Sequence, residues 1–194
     1  MTIANDSALS LREARALYFE RNGIPQDGGY TKRWVKVTKN RLPLYILNTG
    51  PRRRAVPFHD IHHVLTGYET TNTGEAEIAA WELAAGTWPN WFALYIDLAA
   101  LATGVFLAPA KCWRAYLRGR RSRSLYAAPL TDALLATSVA DARAHLGIPA
   151  ESAPLAGSVV EVLRFAALGV AALATVALSV VLAPLLIAVG ALLP

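Results

Sequence analysis

The chain has 194 residues, a net charge of +5 and a single cysteine, Cys112. That length suits one domain with an appendage; the lone thiol excludes an internal disulfide and suits a reducing cytoplasm. The positive charge comes with no nucleic-acid motif and no base-stacking pattern, so no nucleic-acid partner is expected. A mean hydropathy of +0.33 is high for a purely soluble protein, and its cause is local.

Met1 to Ser10 carry neither a signal-peptide core nor an arginine-rich transit pattern, so the mature chain is expected to begin there. A first helix should end before a loop spanning Gly23 to Thr31, and a short extended segment is expected between Lys36 and Leu47. Arg52, Arg53 and Arg54 follow. They suit an anionic head group and equally a solvated surface.

The next element carries the chemistry: His59-Asp60-Ile61-His62-His63, and Glu75 after eleven intervening residues. On a helix turning ~100° per residue, His63 lies ~40° from His59, and Asp60 ~100° away on the same side. The three side chains can converge on one point. Ile61, Leu65 and Tyr68 fall opposite, so both faces ask for burial and the helix belongs inside a bundle. His62 sits ~60° off on the far flank, which makes it the weakest ligand candidate and a candidate for a supporting contact.

A turn-rich stretch from Gly67 to Gly74 should lead into a second helix beginning near Glu75. There Glu75, Ile78, Ala79 and Glu82 share the inward stripe, while Glu77 points to water. Two imidazoles and two carboxylates suit zinc, ferrous iron or manganese, and not calcium, which prefers oxygen alone. Structural roles compete: Asp60 can complement a helix dipole, and Glu75 can be the acid of a capping box with Asn72 as N-cap. Capping does not explain two inward histidines four residues apart.

Trp91 to Ala110 is apolar except for Asp97, and Lys111, Arg114, Arg118, Arg120, Arg121 and Arg123 come after it. Cations on both flanks argue for an internal or interfacial helix rather than a span, with Trp88, Trp91, Phe92 and Tyr95 near head groups or along a lipid pocket. Asp97 should point into the bundle. Leu101, midway, is expected to line a groove for a lipid tail, and the basic run to meet anionic lipid or plain solvent. Ser138 with Asp141 marks the start of a last soluble helix ending at Gly147. A small-residue linker runs from Pro149 to Gly157, and Phe165 to Pro194 holds no charge, where ~20 apolar residues suffice to cross a bilayer. The expected fold is all-α: a helical bundle over 1–150 with a metal site between two core helices, a linker over 151–164, and a C-terminal transmembrane anchor over 165–194.

The stretch from Pro57 to Gly86 resembles the coenzyme Q (ubiquinone) biosynthesis family called the Coq-four family, whose signature is His-Asp-x-x-His followed after eleven residues by Glu. His59, Asp60, His63 and Glu75 match it position for position. A weaker likeness continues from Arg118 to Ile148. The resemblance implies that these four residues ligate a divalent metal, and that an all-helical domain binds an isoprenoid or prenylquinone lipid at a membrane beside other quinone-biosynthesis enzymes. It also implies oxidative decarboxylation of a prenylated hydroxybenzoate. The long apolar C-terminal segment departs from the family's usual peripheral character.

The expected function is that of a membrane-anchored, zinc-dependent protein, with iron or manganese as other metals, whose working domain is cytoplasmic at a bacterial inner membrane. No residue is assigned a catalytic role, and a homo-oligomer is left open. The alternative is a non-catalytic isoprenoid-binding scaffold in which metal only fixes two helices. A His-Asp phosphohydrolase fits less well because no histidine precedes His59, and a zincin protease because Asp60 stands where Glu is required.

Overall fold

The computed structural model describes residues 7–36, 45–88 and 90–192, with side chains at 7–35, 47–88 and 90–182. Among these the fold is all-α, with one two-stranded ribbon. α1 (Leu11–Arg21) opens with a capping box between Ser10 and Glu13. β1 (Trp34–Lys36) and β2 (Tyr45–Leu47) pair as an antiparallel ribbon with Val35 opposite Ile46, β2 being the strand that falls within the expected extended stretch and β1 largely preceding it; residues 37–44 lie outside the described residues.

α2 (Gly50–Thr66) is capped by Thr49, admits Pro51 in its first turn where no backbone donor is needed, and ends at Gly67 with φ 81°. α3 (Asn72–Ala85) starts three residues earlier than expected, with Thr71 rather than Asn72 as N-cap. Three residues beyond Thr71 stands Gly74 and not an acid, so no capping box forms and the Glu75 carboxylate is free to turn inward. A Cβ on Gly74 would fall 2.0 Å from the Glu69 carbonyl oxygen, so this close turn requires glycine.

α4 (Trp91–Leu107) and α5 (Pro109–Gly119) divide the apolar run, because the residue before Pro109 is driven out of helical geometry: Ala108 has φ −152° and ψ 57°. α6 (Asp132–Ala136) and α7 (Val139–Leu146) follow, the latter capped by Ser138 and Gly147 as expected. α8 (Val159–Leu192) is the one described helix long and apolar enough to cross a membrane.

Two cores flank α2. Ile61, Val64 and Leu65 meet Leu11, Phe19, Val139 and Leu146 on one side. On the other, α3 packs against α4 and α5 around Ile78, Trp81, Leu101, Cys112 and Tyr116. Leu101, expected along a lipid groove, is wholly buried in this second core.

The C-terminal half differs from a bundle with a loosely tethered anchor. Arg118 donates to the Thr66 and Pro149 carbonyls, both at 2.7 Å, and Arg143 donates to Leu65 O at 2.8 Å, so these cations satisfy the last carbonyls of α2. Arg114 donates to the Ala153 carbonyl and Arg121 to that of Ala156, while Arg120 pairs with Glu161 at 3.2 Å. The basic run thus holds down the linker, and Arg118 is buried rather than offered to lipid. α8 begins at Val159, inside the stretch expected as linker. It then packs on the domain: the Phe165 ring lies 5.3 Å from those of Trp113 and Tyr116, and Ala172 is wholly buried.

Candidate metal centre

α2 and α3 face each other through His59, His62 and His63 on one side and Glu75 and Glu82 on the other. His63 Nδ1 lies 2.9 Å from the Tyr68 carbonyl oxygen, and His59 Nδ1 lies 3.1 Å from Glu82 Oε2. A carbonyl and a carboxylate only accept, so each Nδ1 carries the proton and donates. Both Nε2 atoms therefore present lone pairs, and they approach each other at 3.2 Å with Glu75 Oε2 at 3.4 Å from His59 Nε2 and 3.6 Å from His63 Nε2. Three acceptors aimed at one point need a cation between them, a proton or a metal. One donor atom from each of His59, His63 and Glu75 lies within 4.8 Å of the others. The set fits a divalent metal, and the outward hydrogen bonds are of the kind that orient metal-bound imidazoles.

Burial works against charge on His59, yet Glu82 and then Glu75 lift it well above its ordinary value. Burial would raise Glu75, but the adjacent His59 and His63 imidazoles carry it far below the carboxylate range. The Glu75 side chain is 40% exposed while His63 is wholly buried, so the site opens to solvent beside Glu75.

Asp60 stands apart from this trio. Its Oδ2 accepts a 2.5 Å hydrogen bond from the Tyr30 hydroxyl, and burial lifts it above its ordinary value. Tyr30 is delivered by the loop after α1, where a Cβ on Gly28 (φ 64°) would overlap the Tyr30 ring at 2.3 Å. Asp27 ties the same loop by accepting from Gly29 N at 3.0 Å and from Thr31 Oγ1 at 2.7 Å. Tyr18 of α1 stacks on His63 at 5.4 Å. Neither tyrosine is marked by the motif, because each reaches the site from a separate element.

Glu82 is wholly buried and serves two histidines, with Oε1 2.6 Å from His62 Nδ1. His62 Nε2 accepts from the Leu125 backbone N–H at 2.9 Å, which fixes the proton on Nδ1, and burial lowers this histidine's pKa. Both of its nitrogens are spent on structure, as its flank position suggested. Burial would raise Glu82, but His59 and then His62 bring it well below its ordinary value. Beyond it lies Asp97, turned inward as expected, with Oδ2 accepting from Thr87 at 3.0 Å and Oδ1 unpartnered at hydrogen-bond distance. Burial, then the adjacent Glu82 carboxylate, push Asp97 well above its usual range. His59, Glu82 and Asp97 form a second close group behind the first.

The three arginines separate. Arg52 is buried and donates to Asn48 Oδ1 at 3.0 Å, so it is withdrawn from any head-group role. Arg53 and Arg54 are exposed. Arg54 lines a cleft of about 280 Å³ with Pro51, Phe58, Asn90, Trp91 and Tyr126. Comparison with protein-family models, curated proteins and solved structures gives no match to this chain.

Proposed function

We propose that His59, His63 and Glu75 hold one divalent metal, zinc first, with iron or manganese as the other fits to this donor set, and that Asp60 joins as a fourth ligand on leaving Tyr30. The observation that carries the reading is the pair of fixed tautomers, which turns both Nε2 lone pairs and a carboxylate oxygen on one point. A metal there supplies electrostatic stabilisation to a substrate carboxylate or phenol oxygen. Glu82 orients His59 and His62 together, and Asp97 lies close behind it. The half-exposed Glu75 side leaves room for a ligand, and this favours an enzyme over a scaffold in which metal only staples two helices.

With the resemblance of Pro57 to Gly86, this site supports a membrane-anchored protein of prenylquinone synthesis whose ligand is a prenylated hydroxybenzoate and whose step replaces the ring carboxylate with hydroxyl, the carboxylate leaving as carbon dioxide and dioxygen serving as oxidant and oxygen source. Its domain would lie on the cytoplasmic side, beside other enzymes of that synthesis. Native mass spectrometry of the full chain in mild detergent, read for metal and co-purified lipid, tests the first half. Release of labelled carbon dioxide from a carboxyl-labelled prenyl hydroxybenzoate under oxygen tests the second. Metal without turnover would leave the scaffold reading, and purified protein that takes up no metal would overturn the site.

A further inference from the structure

α8 and α4 lie side by side in opposite directions. A Cβ on Gly169 would touch Val105 at 3.7 Å, and ten residues further along α8 the Ser179 hydroxyl meets the Tyr95 hydroxyl at 3.1 Å. Phe165, Leu168 and Ala172 join Leu98, Ala102 and Val105 in one apolar cluster. Small residues at Gly169, Ala172 and Ser179 allow this close approach. Beyond Arg164 the rest of α8's described surface is uncharged and largely uncovered, with Val170, Leu178, Val180 and Val181 all exposed.

α4 is built in the same way. Its one carboxyl group, that of Asp97, is turned inward onto Thr87, while Phe106 is 74% exposed and Trp91, Tyr95 and Leu107 are also exposed. A second protein chain would cover one stripe of α8 and leave its other sides in water. A hydrocarbon solvent covers every side, and a helix packed along α8 shares that solvent. Resting on the reading of α8 as a membrane helix, we propose that α4 and α8 meet the bilayer as one unit, with the outer face of α4 in contact with lipid hydrocarbon. The anchor is then part of the domain's packing, and α3, which carries Glu75 and Glu82, is held in fixed register to the membrane through α4.

The test places nitroxide labels on single introduced cysteines in the full chain, reconstituted in phosphatidylcholine vesicles. The positions are F106C and L107C on α4, V180C on α8 and A140C on the exposed side of α7; Cys112 is buried and stays in place. Collision with oxygen should exceed collision with an aqueous nickel chelate at least threefold at 106, 107 and 180, and the order should reverse at 140. Labels at 106 and 107 that behave like 140 while 180 reads as lipid would overturn the pairing and leave the anchor standing. Water-like readings at all four positions would overturn the anchor as well.

Discussion

His59 and His63 point their Nε2 atoms at each other across 3.2 Å, and both Nδ1 atoms are already committed as donors to groups that cannot donate back. Two lone pairs at that distance repel unless a cation lies between them. His59, which its carboxylate neighbours raise against its burial, is the group placed to hold a proton there when metal is absent, and metal must then displace it. Zinc binding should therefore release about one proton per chain, with affinity rising up to about tenfold per pH unit until the folded His59 pKa is passed. Titration calorimetry in buffers of different ionisation enthalpy measures that proton directly. Binding with no proton release would remove the metal from this point. H63A should abolish binding, since His63 offers the only deeply buried lone pair of the three.

The same charges set how the metal-free protein responds to pH. His59 is raised, so its contribution is complete below about pH 6.5, the unfolded value, and fades as pH climbs toward its folded pKa. Glu75 and Glu82 are lowered, so theirs is complete above about pH 4.5 and fades as pH falls. His62, lowered by burial, also costs stability below about pH 6.5. Urea midpoints measured with a chelator present should peak at about pH 6 to 7 and decline on both sides. A steady climb to pH 9 would show that no proton is held between the histidines.

Tyr30→Phe separates two roles for Asp60. If Asp60 must leave the Tyr30 hydroxyl to ligate, removing that hydroxyl frees it, and metal affinity should rise by roughly fivefold, about 1 kcal/mol for one hydrogen bond. Affinity unchanged in Y30F, together with full metal content in D60N, would confine the ligand set to His59, His63 and Glu75.

Glu82→Gln replaces a buried acceptor of two N–H groups with an amide that can accept one and must donate toward the other. The expected cost is about 3 kcal/mol of stability, the scale for breaking a buried charge pair, and a metal affinity lower by about 10- to 100-fold, the scale for supporting contacts of a ligand. Gly74→Ala should cost about 1–3 kcal/mol by forcing the Glu69 backbone aside. Chemical denaturation and metal titration of both variants check this; wild-type metal affinity in E82Q would mean that Glu82 does not orient His59.

Removing residues 165–194 should not yield a well-behaved soluble domain. The cut strips Phe165 from Trp113 and Tyr116 and uncovers Leu98, Ala102 and Val105 along α4. The truncated protein should expose apolar surface, aggregate or need detergent, and show a lower thermal midpoint than the full chain. A monodisperse, detergent-free truncation with an unchanged midpoint would make α8 a loose tether.

The spacing of His59 and His63 on one helix, the inward stripe of Glu75 and Glu82 and the flank position of His62 are all readable from local periodicity, whereas the inward Asp97 is read from the cost of facing a carboxylate to lipid. The uncharged apolar stretch from Phe165 onward is also readable locally. A helix imposes its angular order wherever it is packed, and the periodic features depend on that order alone. Periodicity does not reveal what meets a side chain from another element. Tyr30 claims Asp60 from a loop thirty residues away, Leu125 fixes the His62 tautomer from beyond α5, and Arg118 and Arg143 turn from the surface to the open carbonyls of α2. The same holds for α8, whose composition reads as a membrane span while its small residues dock on α4. Those partners are set by long-range packing, where a buried donor or acceptor takes whichever complementary group the fold brings within reach.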